Sequence, residues 1–511
     1  MSEVTTRIAS AYAFSGTALR LGAVVHDGVC DPAAQVRIPL AMLNRHGLIA
    51  GATGTGKTKT LQLLAEQLSE QGVAVFAADV KGDLSGLATA GEASEKVTMR
   101  SADTGDAWAP TAYPTEFFVL GGAPGGIPLR ATMTSFGPIL LSRVLGLNET
   151  QESALGLMFH WADRAGLPLL DLKDLRSVIT YLTGDEGKAE LKGLGGVSSA
   201  TAGVILRELV ELQNSGADAF FGEPELDTAD LLRTASDGRG VINCLELAGV
   251  QRQTRLFSTF LMWLLADLFD GLPEIGDADR PKLVFFLDEA HLLFSDASPA
   301  FLDAIVTTVR LIRSKGVGVF FVTQNPTDLP SDVLAPLGNR IQHALRAFTP
   351  DDADALRKTV RTYPTTEDYD LEEVLTSLGT GEAIVTVMSD RGAPTPVAWS
   401  RLPAPRSLMA PSADAVREAA IAGSPLHGKY SEPVDRDSAY ERLAARIAAP
   451  SPAERTAPPF DRPRERTSSR RTPKPEPTVV EQILDSGAVR SFLRSAGTAL
   501  GRSMFGTRRR G

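Results

Sequence analysis

The chain is poor in the residues that build disulfide frameworks and zinc clusters. Its 511 residues include two cysteines, Cys30 and Cys244, and six histidines, with no Cys/His group at metal-ligand spacing. Two cysteines cannot form the dense bridges of a small secreted scaffold, and such sparse usage is typical of a reducing compartment. The sequence therefore predicts neither a disulfide-stapled fold nor a zinc site.

Long apolar segments are also missing. No apolar run reaches the roughly 18 residues that a membrane-spanning helix needs. Residues 1–10 lack the basic stretch followed by an apolar one that marks a secretory signal. With 43% hydrophobic and 22% charged residues, the composition is that of a globular protein that can bury a sizeable core. We expect a cytoplasmic protein.

Basic residues are scarce in most of the chain and concentrated at its end. The formal net charge is −10, yet residues 451–511 hold 13 Arg and Lys against 6 Asp and Glu. An acidic body argues against nonspecific nucleic-acid binding over the whole surface. The basic tail is the segment where an acidic partner would dock.

Apolar periodicity and composition divide the chain into six predicted segments. Continuous apolar runs such as Val73–Asp79 are typical of parallel strands buried on both faces, whereas apolar spacings of three and four residues predict helices. Stretches rich in Pro, Arg, Ser and Thr are typical of linkers. The predicted segments are a short β-rich segment (1–45), the first part of an α/β core (46–130), a helical insertion (131–215), the second part of the core (216–410), a Pro/Arg-rich linker (411–478) and a basic amphipathic helix (479–511).

A glycine-rich segment matches the phosphate-loop pattern G-x-x-x-x-G-K-[ST] at every position. It consists of Gly51, Ala52, Thr53, Gly54, Thr55, Gly56, Lys57 and Thr58. The glycines let successive backbone N–H groups point at phosphates, and the following helix directs its positive end at the same anion. We expect Lys57 to reach the β- and γ-phosphates of ATP, Thr58 to bind Mg²⁺, and the nucleotide-binding segment to extend to Lys59. A predicted strand at Gly47–Ala50 favours this interpretation over a plain glycine turn.

Two carboxylates follow a predicted buried strand. Leu283–Leu287 is apolar throughout, and Asp288 and Glu289 come directly after it. The carboxyl ends of parallel strands are where α/β sheets bind ligands. We expect Asp288 to hold Mg²⁺ and Glu289 to orient and polarise the water that attacks the γ-phosphate. The alternative is an exposed strand end whose acidic residues cap the next helix.

Further polar residues are predicted at the same edge of the sheet. Gln324 ends the predicted strand Val317–Thr323 and would sense the γ-phosphate or hold the attacking water, although an amide there also satisfies a turn. Asp79, Lys81 and Asp83 follow the strand after the phosphate-loop helix. They would either contact the metal shell of the nucleotide, couple it to a neighbouring element, or form a solvated turn.

Arginines cluster around the last predicted core strands. In a ring, one or two of them would reach the ATP of the adjacent subunit and stabilise charge on the transferring phosphate. For each one separately, a surface or salt-bridged role is the competing interpretation. The four residues are Arg310, Arg313, Arg340 and Arg346.

These motifs together resemble the HerA/FtsK superfamily of ring-forming P-loop ATPases, and within it the bacterial HerA-like family typified by YjgR. The resemblance covers about residues 45–410, and the combination of motifs is specific, whereas the phosphate loop alone is not. The segments that carry it are Gly51–Thr60, Ala78–Gly86, Leu283–Phe294, Arg313–Gln324, Leu337–Arg346 and Gly379–Val387.

The resemblance implies an α/β fold with a RecA-like P-loop NTPase core, in which a mostly parallel sheet is flanked by helices. It also implies a helical insertion and a homo-hexamer with ATP between subunits. Gln324 would be the polar sensor, and Arg313 or Arg340 would act in trans. The composition of the last hundred or so residues predicts a disordered basic C-terminal tail. Archaeal HerA helicases carry a larger N-terminal β-barrel, whereas only about 45 residues precede the phosphate loop here.

Two functions of such an ATPase remain open at this point. The first is a hexameric motor that translocates or unwinds DNA, as the resemblance and the basic tail favour. The second is an ATPase that remodels a protein or membrane-associated complex without nucleic acid, with residues 479–511 lying on an anionic membrane or packing on the ring. A two-core helicase is disfavoured because too little chain with an ordered pattern follows Gln324 to build a second RecA-like core. A small-molecule kinase is disfavoured because Glu289 beside Asp288 favours water as the acceptor.

Overall fold

The computed structural model describes residues 2–247, 254–276, 278–294 and 299–448. The chain divides into two compact units. The sheet unit contains Met1–Arg130, Ser215–Phe220 and Pro224–Pro433. The helical unit contains Ala131–Asn214, Phe221–Glu223 and, among the described residues, 434–448.

The sheet unit is built on one sheet of twelve strands. The strands are β1 (Ala18–His26), β2 (Val29–Pro39), β3 (Gly47–Ala50), β4 (Ala74–Asp79), β5 (Thr115–Leu120), β6 (Ile127–Leu129), β7 (Ile242–Glu246), β8 (Leu283–Leu287), β9 (Val317–Thr323), β10 (Asn339–Gln342), β11 (Glu382–Thr386) and β12 (Ala398–Arg401). Their order is β2-β1-β12-β11-β10-β3-β9-β8-β4-β7-β5-β6. Strands from β10 to β6 pair in parallel, whereas β11, β12, β1 and β2 extend the sheet beyond β10 with antiparallel pairs.

The central strands are buried along their whole length. Every residue of β3, β4, β8 and β9 is buried, and a parallel strand covered on both faces needs such a continuous apolar run. The sheet places β9 between β3 and β8, with β4 on the other side of β8. Because these four strands are parallel, the residues that follow them meet at one edge of the sheet. This edge is called the carboxyl edge below.

Helices occur in both units within the described ranges. They are α1 (Glu3–Ala11), α2 (Lys57–Glu70), α3 (Glu95–Thr104), α4 (Met133–Leu145), α5 (Glu149–Arg164), α6 (Leu172–Thr183), α7 (Lys188–Gly193), α8 (Ser199–Asn214), α9 (Thr254–Gly271), α10 (Pro299–Ile312), α11 (Ser331–Leu334), α12 (Pro350–Val360), α13 (Leu371–Ser377), α14 (Asp414–Gly423), α15 (His427–Tyr430) and α16 (Ala439–Ala448). Helices α4 to α8 and α16 belong to the helical unit and the others to the sheet unit. In these ranges no helix combines the length and the apolar character that crossing a membrane requires. The mostly parallel sheet with its helices confirms the predicted α/β fold class.

The first 45 residues, predicted as a short β-rich segment, contain β1 and β2 and also a helix that the sequence did not predict. They begin with α1, which the side chain of Ser2 caps at its amino end. Ile8 and Tyr12 are fully buried, and the Tyr12 hydroxyl donates a hydrogen bond to the carbonyl of Val385 in β11 at 2.9 Å. The helix is stabilised by a strand more than 370 residues away in sequence, which is why local pattern did not predict it.

Regular structure continues past the point where the sequence predicts a linker. Residues 411–448 contain α14, α15 and α16, so the linker prediction is wrong for this part. In the helical unit, α16 packs against α6, where the Asp174 carboxylate accepts a hydrogen bond from the Tyr440 backbone N–H at 2.8 Å. The rest of the predicted linker and the predicted basic helix fall in residues 449–511, outside the described residues.

Candidate active site

The phosphate-loop segment connects β3 to α2 at the carboxyl edge. Gly51, Gly54 and Gly56 have φ values of 151°, 80° and 117°, in the region that favours glycine. At Gly51 packing adds a second requirement, because a Cβ there would lie 2.5 Å from the Cβ of His343. At Gly54 a Cβ would meet nothing within 4 Å. Backbone conformation and the close approach of the chain after β10 therefore fix the curl of this loop.

Lys57 is the first residue of α2 and is buried, with 6% of its surface exposed. Its Nζ donates hydrogen bonds to the carbonyl oxygens of Gly51 at 2.6 Å and Ala52 at 3.1 Å. Burial lowers the pKa of Lys57, and the nearby charge of Lys81 lowers it further. The ammonium group is thus held against the phosphate loop, where an anionic ligand would compensate for its lost hydration.

The next two residues of α2 have different surroundings. Thr58 is partly exposed at the start of the helix. Lys59 donates from Nζ to the Gln62 side chain at 3.1 Å, and burial lowers its pKa. The Lys59 ammonium is therefore bonded along the helix, whereas that of Lys57 is bonded to the loop.

Asp288 and Glu289 follow β8 at the carboxyl edge and are almost completely buried. Burial raises the pKa of Asp288 to about 7, against the opposing charge of Lys81. Glu289 has φ 47° and ψ 46°, a left-handed conformation that costs a non-glycine residue on the order of 1–3 kcal/mol and clusters at functional sites. A strained, buried acidic pair beside a phosphate-type loop has the properties of a catalytic or metal-binding site.

Lys81 forms an ion pair with Glu289. The Nζ of Lys81 lies 2.5 Å from Oε1 of Glu289, and Nδ1 of His291 lies 3.4 Å from Oε2. Burial alone would raise the pKa of Glu289, but the hydrogen bond and charge of Lys81 outweigh it and lower the pKa. From the sequence, three roles were open for Lys81: a contact with the metal shell of the nucleotide, coupling to a neighbouring element, or a place in a solvated turn. Its contact with Glu289 was not predicted, because this contact depends on the adjacency of β4 and β8.

Gln324 follows β9 and stands beside the phosphate loop. Its backbone carbonyl accepts a hydrogen bond from the Gly51 N–H at 3.2 Å, and its Oε1 lies 3.5 Å from Oγ1 of Thr53. The Gln324 side chain also helps to lower the pKa of Glu289. The amide therefore lies beside the loop and influences the carboxylate.

His343 braces the other side of the phosphate loop. Its backbone N–H extends the β10–β3 pairing by donating to the Ala50 carbonyl at 2.7 Å. Its Nδ1 lies 2.8 Å from the carbonyl oxygen of Glu382, and its Nε2 lies 2.8 Å from the hydroxyl of Thr60 in α2. Since a carbonyl only accepts and burial lowers the pKa of His343 to about 4, the ring is neutral with its proton on Nδ1. Sequence reasoning gave His343 no role.

The buried histidine makes stability depend on pH. A group that is neutral in the folded chain but protonates in the unfolded chain below its ordinary pKa of about 6.5 destabilises the fold as pH falls towards 4. We expect the free energy of unfolding to fall by about 2 kcal/mol between pH 7 and pH 5 for His343. His46, also fully buried with a pKa of about 4, acts in the same direction.

Urea unfolding at the two pH values measures this effect. His343→Gln should reduce the fall in the free energy of unfolding between pH 7 and pH 5 by the part that His343 contributes. His427→Gln, at an exposed position in α15, should show the same fall as wild type. Equal slopes in wild type and His343→Gln would contradict the assignment of a neutral buried ring.

The arginines proposed to act in trans are placed apart from the carboxylates. Arg313 begins the turn Arg313–Lys315 that precedes β9, so it lies at the opposite end of that strand from Gln324. Arg340 lies within β10, paired with Leu48 of β3. Within one chain, neither is brought to the carboxyl edge with the acidic pair.

Comparisons with known proteins place these features in a family context. The family model described as "Helicase HerA-like C-terminal" matches residues 26–510. The curated "DNA double-strand break repair helicase HerA" of Saccharolobus solfataricus is 22% identical over 384 residues, which is 72% of this chain and 65% of that protein. The protein of the same name from Sulfolobus acidocaldarius is 22% identical over 73% of this chain and 67% of its own length. The chain thus spans slightly less than two thirds of the first of these relatives.

Solved structures share the fold at low sequence identity. The unbound bacterial conjugative coupling protein TrwB matches with a TM-score of 0.51 and 16% identity, over 80% of this chain and 95% of that chain. TrwB in complex with a non-hydrolysable ATP analogue matches with a TM-score of 0.51 and 17% identity, over 78% of this chain and 99% of that chain.

Proposed function

This chain belongs to the HerA-like helicase C-terminal family, and from that premise we propose a ring-forming, Mg²⁺-dependent ATPase that uses hydrolysis to translocate or unwind DNA. The chain is a P-loop ATPase of this family. The observation that carries the proposed reaction is the arrangement at the carboxyl edge. There the buried pair Asp288 and Glu289 follows β8 while the phosphate loop follows β3, two strands away.

Each residue of the edge has a proposed role in ATP hydrolysis. The loop N–H groups and Lys57 bind the phosphates and offset their charge. Glu289 orients the attacking water and accepts its proton, while Gln324, which lies beside the loop and lowers the pKa of Glu289, keeps that water in place. The reaction needs no covalent intermediate, because positioning and charge stabilisation supply most of the catalysis in phosphoryl transfer.

A magnesium ion fits the residues present. Asp288 is buried and its pKa is raised mainly by that burial, so its charged form lacks the compensation that a divalent cation supplies. Thr58 and Asp288 would hold the ion. When bound, magnesium neutralises charge on the β- and γ-phosphates.

The ring is proposed from the positions of two arginines, and the DNA substrate from the names of the relatives and a basic segment of the chain. Arg313 and Arg340 stand away from the acidic pair of their own chain, which favours action on the ATP of a neighbouring subunit in a hexamer. The archaeal relatives are named as DNA repair helicases, and residues 451–511 offer a basic segment for phosphate contacts.

Steady-state ATP hydrolysis with and without single- and double-stranded DNA tests the proposal. We expect several-fold stimulation by DNA that weakens with rising salt, because phosphate contacts release counterions. Heparin, a polyanion without bases, is the control for charge alone. Light scattering in the presence of ATP and Mg²⁺ measures the molecular mass of the assembly under the same conditions.

One outcome would contradict the dependence on DNA, another would contradict the ring, and a third would exclude only the basic tail. Hydrolysis that ignores DNA at low salt would favour the alternative, an ATPase that remodels a protein or membrane-associated complex. A monomeric mass at micromolar concentration would exclude an arginine supplied by a neighbouring subunit. Stimulation that survives removal of residues 449–511 would keep the motor and exclude the basic tail as its DNA contact.

A further inference from the structure

Lys81 is the cation that faces the carboxylate of Glu289. Its Nζ lies 2.5 Å from Oε1 of Glu289, whose side chain is 6% exposed, while the Lys81 side chain is 37% exposed. Lys57, the other cation near this carboxylate, is bonded to the carbonyl groups of Gly51 and Ala52 instead. The two lysines therefore have separate partners: Lys57 the phosphate loop and Lys81 the acidic residue.

The loop that carries Lys81 is built to hold it in place. Asp79 ends β4 with 1% of its surface exposed. Its carboxylate accepts hydrogen bonds from the backbone N–H groups of Lys81 at 3.1 Å, Gly82 at 2.7 Å and Leu84 at 2.8 Å. Three bonds to one buried carboxylate fix the path of the chain immediately after β4. Because β4 is paired with β8, this path directs Lys81 towards Glu289.

We propose that Lys81 is a positioning residue that holds the Glu289 carboxylate in the orientation that hydrolysis requires. The proposal rests on the proposed role of Glu289 and goes beyond it by naming the group that orients it. Glu289 needs such a partner because its backbone is in the strained left-handed region. A buried side chain on a strained backbone keeps one orientation only where its surroundings over-determine it.

Removing the ammonium group separates orientation from binding. Without Lys81, Oε1 of Glu289 loses its ion pair, while Nδ1 of His291 stays 3.4 Å from the other oxygen, Oε2. The phosphate loop keeps all its own hydrogen bonds, since none of them involves Lys81. The turnover rate should therefore fall while nucleotide affinity stays the same.

The experiment compares Lys81→Met, Lys81→Gln and Lys81→Arg in the full chain. We expect kcat for ATP hydrolysis to fall about 10- to 100-fold in the two neutral variants, as when a partner that orients a catalytic group is removed. Lys81→Arg, which keeps a cation that pairs with carboxylates, should restore most of the rate. The Kd for a non-hydrolysable ATP analogue should stay within about twofold of wild type in all three.

Lys173→Met is the matched control, because Lys173 also pairs with a glutamate, Glu441, at 3.0 Å, but in the helical unit. It should hydrolyse ATP at the wild-type rate. Melting temperatures show whether each variant is folded. Two neutral substitutions of Lys81, to Met and to Gln, are included so that the test still works if one of them does not fold.

Several outcomes would overturn the inference. Neutral variants with wild-type kcat would show that Lys81 orients nothing, and a matching loss of analogue affinity would make it a phosphate ligand. Failure of Lys81→Arg to recover any rate would exclude a role for the charge. Wild type and Glu289→Gln are measured alongside. If Glu289→Gln remains as active as wild type, the proposed role of Glu289 fails and this inference fails with it, whereas loss in Glu289→Gln alone leaves the proposed function standing.

Discussion

Replacing Glu289 with glutamine should lower kcat for ATP hydrolysis by about 10²- to 10⁴-fold while ATP remains bound, the range that a positioned general base contributes. Glutamine has nearly the same shape, so the buried space after β8 stays filled, but it cannot accept a proton from water. It also loses the ion pair with Lys81. Steady-state rates combined with the Kd of a non-hydrolysable ATP analogue measure the two effects separately.

The matched control for this variant is Glu372→Gln, at an exposed position in α13. It removes one carboxylate of the same type and should leave both kcat and affinity unchanged. A Glu289→Gln variant that keeps its rate within about threefold of wild type would exclude Glu289 as the base. A parallel loss of Mg²⁺-dependent affinity would instead indicate that Glu289 is a metal ligand and that Asp288 has the other role.

The central sheet was predictable because its strands carry their own signal. Leu283–Leu287 and Val317–Thr323 were predicted as strands and coincide with β8 and β9. Both are continuous apolar runs that end in polar residues, and burial on both faces favours such a composition in a parallel strand. The helix after the phosphate loop was predictable for a similar reason, because Leu61, Leu64 and Leu68 recur at helical spacing.

Elements stabilised by distant contacts were not predictable in the same way. The Pro-rich residues 403–411 have a composition typical of linkers, yet the buried Glu66 carboxylate of α2 accepts hydrogen bonds from the backbone N–H groups of Arg406 at 2.8 Å and Ser407 at 3.0 Å. Gln62, one turn earlier, donates to the Leu408 carbonyl at 2.9 Å. The segment buries few apolar side chains of its own, so its composition gives no sign of the helix against which it lies.

The candidate site likewise has a part that the sequence predicts and a part that depends on distant contacts. Motifs predicted that the phosphate loop and the pair Asp288 and Glu289 belong to one edge, because each follows its own strand. The contact of Lys81 with Glu289 depends on β4 lying beside β8, and that of His343 with Gly51 depends on β10 lying beside β3. Strand order is a property of the assembled sheet, so no single motif contains it. The functional roles of these residues stay predictions, and so do the segment boundaries other than those of the linker.

Replacing Lys57 with methionine should weaken ATP binding by at least about 30-fold, because removing one partner of a buried, hydrogen-bonded charge pair costs about 2–5 kcal/mol. Methionine fills the same volume but leaves the phosphates without their cation. The Gly51 and Ala52 carbonyls also each lose one hydrogen bond, so the melting temperature without nucleotide should fall slightly. Binding of a non-hydrolysable ATP analogue and thermal unfolding with and without it measure both changes.

The two variants should therefore lose different properties: Lys57→Met should lose affinity for ATP, whereas Glu289→Gln should lose the rate of hydrolysis. Lys57→Met should lose most of the stabilisation that saturating analogue gives to wild type, since a ligand stabilises the fold only as far as it binds. Glu289→Gln should keep that stabilisation and lose turnover, and Lys173→Met should keep both. A Lys57→Met chain that binds the analogue as tightly as wild type would mean that the loop N–H groups bind the phosphates alone. The buried ammonium group would then serve only to hold the loop carbonyls together.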